Sequence, residues 1–276
     1  MQRYAMILAA LTLMLLAAGC GDNTPAAKIQ TPADLGGKVI GMLASSAPPD
    51  SIAALLAKDI GAPPKEVVYF NRGADIVAAL LAGKIDATAE LTFVGDYTVR
   101  RNPTLTTIPQ GHPTPGSIIM ALRKDDLQLR DALDSAIATL QANGTMDSLA
   151  KQWINDFPAS GEPNVAELPK IAGARTVYVG VAGDYVPLDY IAADGRPAGY
   201  NVAFLTAVAQ LLQVNFEFVP LDAPARFPAL AAKKIDVVFG QFYSEQIAEL
   251  FNRPNSRFIL TKPYYTFGGL CYLVRK

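Results

Sequence analysis

Five places in this chain set polar side chains at or just behind the end of an apolar or β-branched run. Val39 to Leu43 is followed by Ser45 and Ser46, Glu66 to Phe70 by Asn71 and Arg72, and Ile85 to Ala89 by Glu90 and Thr92. Farther on, Thr176 to Val181 leads to Asp184 and Tyr185, and Ile235 to Phe239 leads to Gln241, Phe242 and Tyr243. In open α/β sheets, ligands bind outside the carboxyl ends of the strands. These positions are therefore the candidate contacts of a bound small polar molecule. Nothing beside them speaks for bond-breaking chemistry. There is no G-x-S-x-G, no phosphate-cradling glycine loop and no metal-ligand spacing. His112, the one histidine, stands beside Pro113 and reads as structural. With only Cys20 and Cys271, neither a disulfide framework nor a Cys/His metal site is expected, and no cofactor is implied. Cys271 lies in an apolar run and reads as a small buried hydrophobe.

The elements that must position these residues are strands alternating with helices. After the first three runs come helices at Ser51 to Ile60, with Asp50 as its N-cap, at Ala74 to Leu81 and at Phe93 to Arg100. A strand at Ser117 to Leu122 precedes helices at Leu127 to Ala142 and Thr145 to Ile154, split by the stop signal Asn143-Gly144. In the last hundred residues, the strand Thr176 to Val181 and the Gly/Pro-rich turns behind it precede a helix at Ala203 to Leu212. A strand at Asn215 to Val219, a helix at Ala225 to Ala232 and the Ile235 strand follow, before Leu270 to Arg275. The pattern predicts an α/β fold with βαβ units. At 276 residues and 51% hydrophobic content the chain can bury a full core. A net charge of −1 offers no basic field, so no nucleic-acid partner is expected.

The first residues read as a targeting segment. Arg3 supplies a positive start, Ala5 to Ala18 a short apolar run, and Leu16-Ala17-Ala18-Gly19-Cys20 resembles the lipobox of bacterial lipoproteins. Residues 1–19 are then a lipoprotein signal peptide, Cys20 the lipidated residue and membrane anchor, and residues 20–30 a tether. A secretory signal followed by a chance cysteine is the other reading.

Two stretches resemble a known family. Gly183-Asp184-Tyr185-Val186-Pro187, Gly199-Tyr200-Asn201-Val202, Lys234-Ile235-Asp236-Val237-Val238 and Pro263-Tyr264-Tyr265 follow the order found at the start of type 2 periplasmic solute-binding proteins of the polar amino-acid family. Asp34-Leu35-Gly36-Gly37-Lys38 and Leu140-Gln141-Ala142-Asn143-Gly144-Thr145 resemble the start of that family's second lobe and its helical ending. The family's second half thus precedes its first, which implies a circularly permuted, two-lobed fold with a ligand cleft between the lobes. Residues 31–112 would form the second lobe, 113–156 a hinge strand and helices packing on the first lobe, 157–175 a linker joining the old ends, and 176–276 the first lobe. A splice of two adjacent binding proteins is the competing reading. In the permuted arrangement one of the two crossings between lobes is expected to stay continuous and the other to be cut, because 270–276 ends where 31–37 begins.

What the resemblance implies for the site follows residue by residue. Tyr185 matches an aromatic that stacks on the ligand, its other reading being a turn tyrosine packed on Pro187. Ser45 and Ser46 match a hydroxyl pair that holds a carboxylate at a helix start, their other role being local capping. Glu90 stands at or beside an acid for a ligand ammonium, and Gln241 and Tyr243 match polar contacts of the first lobe. The arginine that clamps an α-carboxylate in this family has no counterpart in Tyr243-Ser244-Glu245-Gln246-Ile247-Ala248-Glu249. Arg72, Arg226, Arg253 and Arg257 are the candidates to replace it. Asn201, where the family often has Asp, is expected to change little beyond a helix-start charge. The function implied is capture of a small polar solute for an ABC permease outside the cytoplasm. A dehydratase resembling cyclohexadienyl dehydratase, with Glu90 as its carboxylate, is one alternative. An accessory protein of the kind linked to quinoprotein dehydrogenases is the other.

Overall fold

The computed structural model describes residues 28–44, 49–111, 115–158, 161, 163, 167–243 and 256–276. Ser45, Ser46, His112, Arg253 and Cys20 with its signal segment lie outside the described residues.

The first half contributes β1 (Val39–Leu43), α1 (Pro49–Ile60), β2 (Glu66–Phe70), α2 (Gly73–Leu81), β3 (Ala87–Leu91), α3 (Thr92–Arg101), β4 (Leu105–Pro109) and β5 (Gly116–Arg123). Two helices follow, α4 (Leu127–Ala142) and α5 (Thr145–Ala150), the latter running into a π-helical turn at Lys151–Asn155. Gly144 between them has φ +77, a left-handed conformation that glycine adopts freely. Asp50 lies inside the first turn of α1 and does not cap it, because the helix begins one residue earlier, at Pro49.

The second half supplies β6 (Thr176–Val181), three short strands β7 (Asp184–Tyr185), β8 (Asp189–Ile191) and β9 (Pro197–Ala198), and α6 (Tyr200–Leu212). Then come β10 (Asn215–Pro220), a 3₁₀ turn at Ala223–Ala225, α7 (Arg226–Ala231), β11 (Val237–Tyr243), β12 (Phe258–Leu260), β13 (Tyr265–Phe267) and β14 (Leu270–Arg275).

Two sheets organise these elements, and each takes a strand from the other half of the chain. The five-stranded sheet runs β2-β1-β3-β14-β4, with β14 antiparallel to both neighbours. The six-stranded sheet runs β10-β6-β11-β5-β12, with β13 also on β5, and β5 is antiparallel to β11. The chain therefore passes between the sheets from β4 to β5 and again from β13 to β14. Both passages are covalent, so the expected cut does not fall at a crossing. Residues 270–275 pair inside the five-stranded unit and not with the sheet begun at Thr176.

Burial explains why β14 sits centrally. Tyr272 and Val274 point into a cluster with Leu35, Ile40, Leu56 and Ile60 under α1, while Leu273 enters a cluster with Ile76, Leu80, Ile85 and Leu105 under α2. A strand covered by helices on both faces has no solvent side. Its end is fastened: Arg275 Nη1 donates to the carbonyls of Leu80 (2.5 Å) and Ile85 (2.6 Å), and its guanidinium lies 3.6 Å from Asp86 Oδ1. The other oxygen of Asp86 accepts from the Val39 amide at 2.9 Å, so the last strand and the first share one carboxylate.

The six-stranded unit holds the largest core, with Val177, Val179, Phe204, Val208, Phe239 and Tyr264 beneath α4, α5 and α6. Leu91 and Val94 of the other unit join it, and Phe93 packs edge-on against Tyr265 (5.5 Å) and Phe267 (6.4 Å). Thr92 Oγ1 donates to Gly269 O at 2.8 Å, pinning the β13–β14 passage to the start of α3. The stretch read as a linker is tied at both ends. Arg100 Nη1 donates to Phe157 O (3.1 Å), and Asn215 exchanges hydrogen bonds with the backbone of Ile171 (2.7 and 2.9 Å).

Candidate functional site

The strands β2 and β3 of one unit, and β6 and β10 of the other, present their carboxyl ends to a common seam. There four of the nominated residues meet. Tyr185, on β7 just behind β6, donates its hydroxyl to Glu90 Oε2 at 3.1 Å. Glu90 lies near the end of β3, only 8% exposed, inside the strand and not behind it, because β3 runs two residues farther than the apolar pattern suggests. Beside this pair, Asp184 Oδ2 stands 3.5 Å from Arg72 Nε and accepts from the Ala74 amide at 3.4 Å. Arg72 precedes α2, so Asp184 faces the free N–H groups of a nine-residue helix. A third link is the Ala223 amide to Asn71 O, 3.4 Å. Each contact joins one sheet's unit to the other's.

Gln241 and Tyr243 are not part of this group. They continue β11 opposite Ile119 and Ser117, after a register shift between Val238 and Gln241. Gln241 Nε2 turns back to Phe242 O at 3.0 Å. Among the described residues no hydrogen bond or ion pair connects either side chain to Glu90, Tyr185, Asp184 or Arg72. The expectation that they stand free behind a strand fails because β5 offers their backbone a partner.

Behind the seam lies a buried network that the sequence reading undervalued. Asp189 Oδ1 accepts from the Gly183 amide (2.9 Å), and its Oδ2 accepts from Asn201 Nδ2 (2.8 Å). Asn201 Oδ1 accepts from the Tyr264 hydroxyl (3.0 Å), and Tyr264 O from the Tyr200 hydroxyl (3.0 Å). Asn201 is completely buried and bridges an acid to a tyrosine, so it does far more than alter a helix-start charge. An aspartate in this place would set a second carboxylate against Asp189. Gly240 beside the pair has φ +67, a left-handed conformation that favours glycine. One signal in the sequence could have found Asp189, an acid set between Leu188 and Tyr190 in an otherwise apolar stretch.

The electrostatics of the seam follow from burial. Desolvation pushes the Glu90 carboxyl up to about 7, against the Tyr185 hydrogen bond that favours its charged form. Tyr185 is driven well above its ordinary range by burial first and by the Glu90 charge second. Burial also raises Asp189, opposed by the Gly183 N–H and then by the positive charge of Arg226. Arg226 opens α7, with Nε on Leu221 O at 3.1 Å. Burial lowers its pKa while Asp189, Asp184 and Asp222 hold its charge in place. Among the described arginines considered as substitutes, Arg226 is buried among Asp189, Asp184 and Asp222, and Arg72 lies at the rim of the seam beside Asp184 with 57% of its side chain exposed. Arg257 has its carbonyl on the Lys124 amide (2.9 Å), at the opposite edge of the six-stranded sheet. Among the described residues no cluster of His, Cys, Asp and Glu could hold a metal ion. Cys271 is free, 3% exposed and paired in register with Glu90.

This arrangement can grip a small polar molecule from two sides. It offers a carboxyl that titrates near neutrality, a tyrosine ring and hydroxyl, a helix start and a guanidinium.

Comparison with known proteins divides the chain. Residues 177–276 match the family model of bacterial extracellular solute-binding proteins, family 3, and residues 24–101 match a different one, NMT1/THI5 like. The L-cystine-binding protein TcyJ of Escherichia coli K12 is 28% identical over 109 residues, 40% of this chain and 38% of that protein. The histidine-binding periplasmic protein of the same strain is 31% identical over 103 residues, 35% of this chain and 39% of its own length. The chain thus spans under two-fifths of the curated relatives it matches. Among solved structures, the ligand-binding component of an ABC-type import system from Staphylococcus aureus aligns over 86% of this chain and 65% of its own, at 16% identity and TM-score 0.45. An arginine-specific periplasmic binding protein of Salmonella typhimurium aligns over 87% and 85%, at 16% identity and TM-score 0.42. Residues 177–276 are thus similar to the bacterial extracellular solute-binding proteins, family 3.

Proposed function

We propose that the protein is an extracytoplasmic solute-binding lipoprotein. It takes a small polar solute between its two units and hands it to an ABC permease, and a lipid on Cys20 holds it at the membrane. The observation that carries this reading is the set of contacts Tyr185–Glu90, Asp184–Arg72 and Asp184–Ala74. They join the two sheets at their strands' carboxyl ends, beside a seam spanned by two chain passages. Two units joined by two short passages can close as a hinge, and a solute that contacts both units stabilises the closed form. Arg226 and Arg72 are the guanidiniums available to a solute carboxylate. In the same reading the chain is circularly permuted. The shared carboxylate of Asp86, bonded to Val39 and Arg275, supports an ancestral join between the present ends of the fold.

The test is a thermal-shift screen of amino acids, amines, organic acids and sugars, beginning with cystine, arginine and histidine. A solute at about a hundred times its Kd adds about 2.7 kcal/mol, or roughly 5 to 10 °C for a chain of this size. Tyr185→Ala should abolish that gain, read as the shift relative to the variant's own melting temperature without solute. A screen without any shift, together with turnover of prephenate or arogenate, would replace binding by the dehydratase reading, to which the near-neutral Glu90 would be suited as a proton donor or acceptor.

A further inference from the structure

We propose that Tyr185 and Glu90 form a proton-dependent latch between the two units, so that the seam closes on itself in mild acid and loosens as the medium turns alkaline. The inference rests on the hinge-closing reading above and adds a regulator to it. Its basis is the placement of one hydrogen bond. Glu90 belongs to the five-stranded sheet, Tyr185 to the other unit, and the bond between a buried Glu90 and a half-buried Tyr185 is largely withdrawn from water. Opening the seam must break this bond and return both groups to water. Closing it must strip water from Glu90, whose charged form then loses more than its neutral form.

The surroundings of Glu90 offset that cost only in part, through hydrogen bonding from Tyr185 and Thr88 and without a cation. From β14 its register partner is Cys271, a thiol that burial holds up at about 12 and that is therefore uncharged. From the β7–β8 side come Tyr185 and, behind it, Asp189. Asp96 of α3 acts on Cys271 from the far side, and Thr88 shares the strand. The charges nearest Glu90 are thus acids or groups that stay neutral. Arg226 answers Asp189, Asp184 and Asp222, and Arg72 answers Asp184. Among the described residues no cation forms an ion pair with Glu90. A protonated Glu90 keeps the latch, since its carbonyl oxygen still accepts from the Tyr185 hydroxyl.

The direction follows from linkage. In the closed form Glu90 holds its proton up to about pH 7, whereas in water a glutamate releases it near 4.5. The closed form therefore binds more protons, is favoured as pH falls, and loses that advantage as pH rises through 7. Between pH 5.5 and 8.5 the closing equilibrium should change about thirtyfold. A solute with a cationic group at Glu90 would take the proton's place and keep the seam shut in alkali.

The experiment measures the distance between spin labels at Lys58→Cys in α1 and Gln210→Cys in α6. It uses a Cys20→Ala background, with protein refolded from denaturant to remove any carried solute. In the parent, the short-distance population should dominate at pH 5.5 and shrink by pH 8.5, with a midpoint near 7. Glu90→Gln, which keeps an acceptor for Tyr185 without a titratable proton, should stay closed at both pH values. Tyr185→Phe should lower the closed fraction at pH 5.5, and it provides a second reading should the glutamine variant misfold. An equal pH response in Glu90→Gln would overturn the latch. So would a pH-independent distribution that a solute from the screen still shortens, which would leave hinge closure standing. A distance that neither pH nor any solute alters would overturn both.

Discussion

Removing the side chain of Leu273 tests how far the two halves depend on one strand. Leu273 is fully buried in β14, between Thr88 of β3 and Thr107 of β4, and its side chain fills the cluster under α2 with Ile76, Leu80, Ile85 and Leu105. Leu273→Ala removes buried methyl groups and leaves a cavity in a site fixed on both edges by strand pairing, which limits collapse. A loss of about 3 kcal/mol, within the 2 to 5 known for such changes, is expected. For a protein of this length that is roughly 6 to 12 °C of melting temperature. Urea unfolding with hydrogen exchange is the assay. Stability should fall by that amount, and amides of β1, β3 and β4 should lose protection before those of β6 and β10. A loss under about 1 kcal/mol would refute the cavity argument. Protection lost first in β6 and β10 would refute the assignment of β14 to the five-stranded core.

Asn201→Ala should cost about 2 to 4 kcal/mol, because Asp189 Oδ2 and the Tyr264 hydroxyl each lose a buried partner; denaturant unfolding reads this, and a neutral result would mean that water replaces the amide. Cys20→Ala should move the protein from the membrane fraction to the soluble fraction or leave it unprocessed, and wild-type protein without acyl mass would refute the anchor. A chain rebuilt to start near Arg175, with Lys276 joined to Lys28 through a short linker and cut in 157–175, should fold to the same circular-dichroism spectrum and solute response. Failure of that chain to fold, with the linker varied in length, would count against the permutation.

How much of this could be read from sequence depends on what bounds each element. Val39–Leu43 and Glu66–Phe70 stand in the structure where the residues put them, the first a short apolar run behind Gly36-Gly37-Lys38 and the second a β-branched and aromatic run closed by Asn71. Helix α4 likewise ends where Asn143-Gly144 says it must. The miniature sheet β7–β9 was illegible for the opposite reason: strands of two or three residues have no periodicity to detect. Gln241 to Tyr243 misled because polarity suggested a free loop, and only the presence of β5 across the sheet turns those backbones into a strand.

The tail is the instructive case. Leu270 to Arg275 is a short apolar run that ends in an arginine. In a central position between β3 and β4 both faces are buried, and the sequence carried no sign of which sheet would take it. Strand identity is a local property, set by side-chain shape, whereas strand address is set by where the chain can travel. The passage from Phe267 to Leu270 is short and tied at Thr92, and it delivers the tail to the slot between β3 and β4. The same reasoning applies to the candidate site. Tyr185 and Glu90 could each be nominated from strand ends, but their hydrogen bond depends on two passages that swing one sheet's edge over the other. An exchange of Phe267 to Leu270 for a longer, flexible loop should therefore weaken the Tyr185–Glu90 contact before it weakens either sheet. Hydrogen exchange at the start of α3, where Thr92 holds Gly269, would register the change, and unaltered protection there would show that packing of Phe93 against Tyr265 and Phe267 alone keeps the units in register.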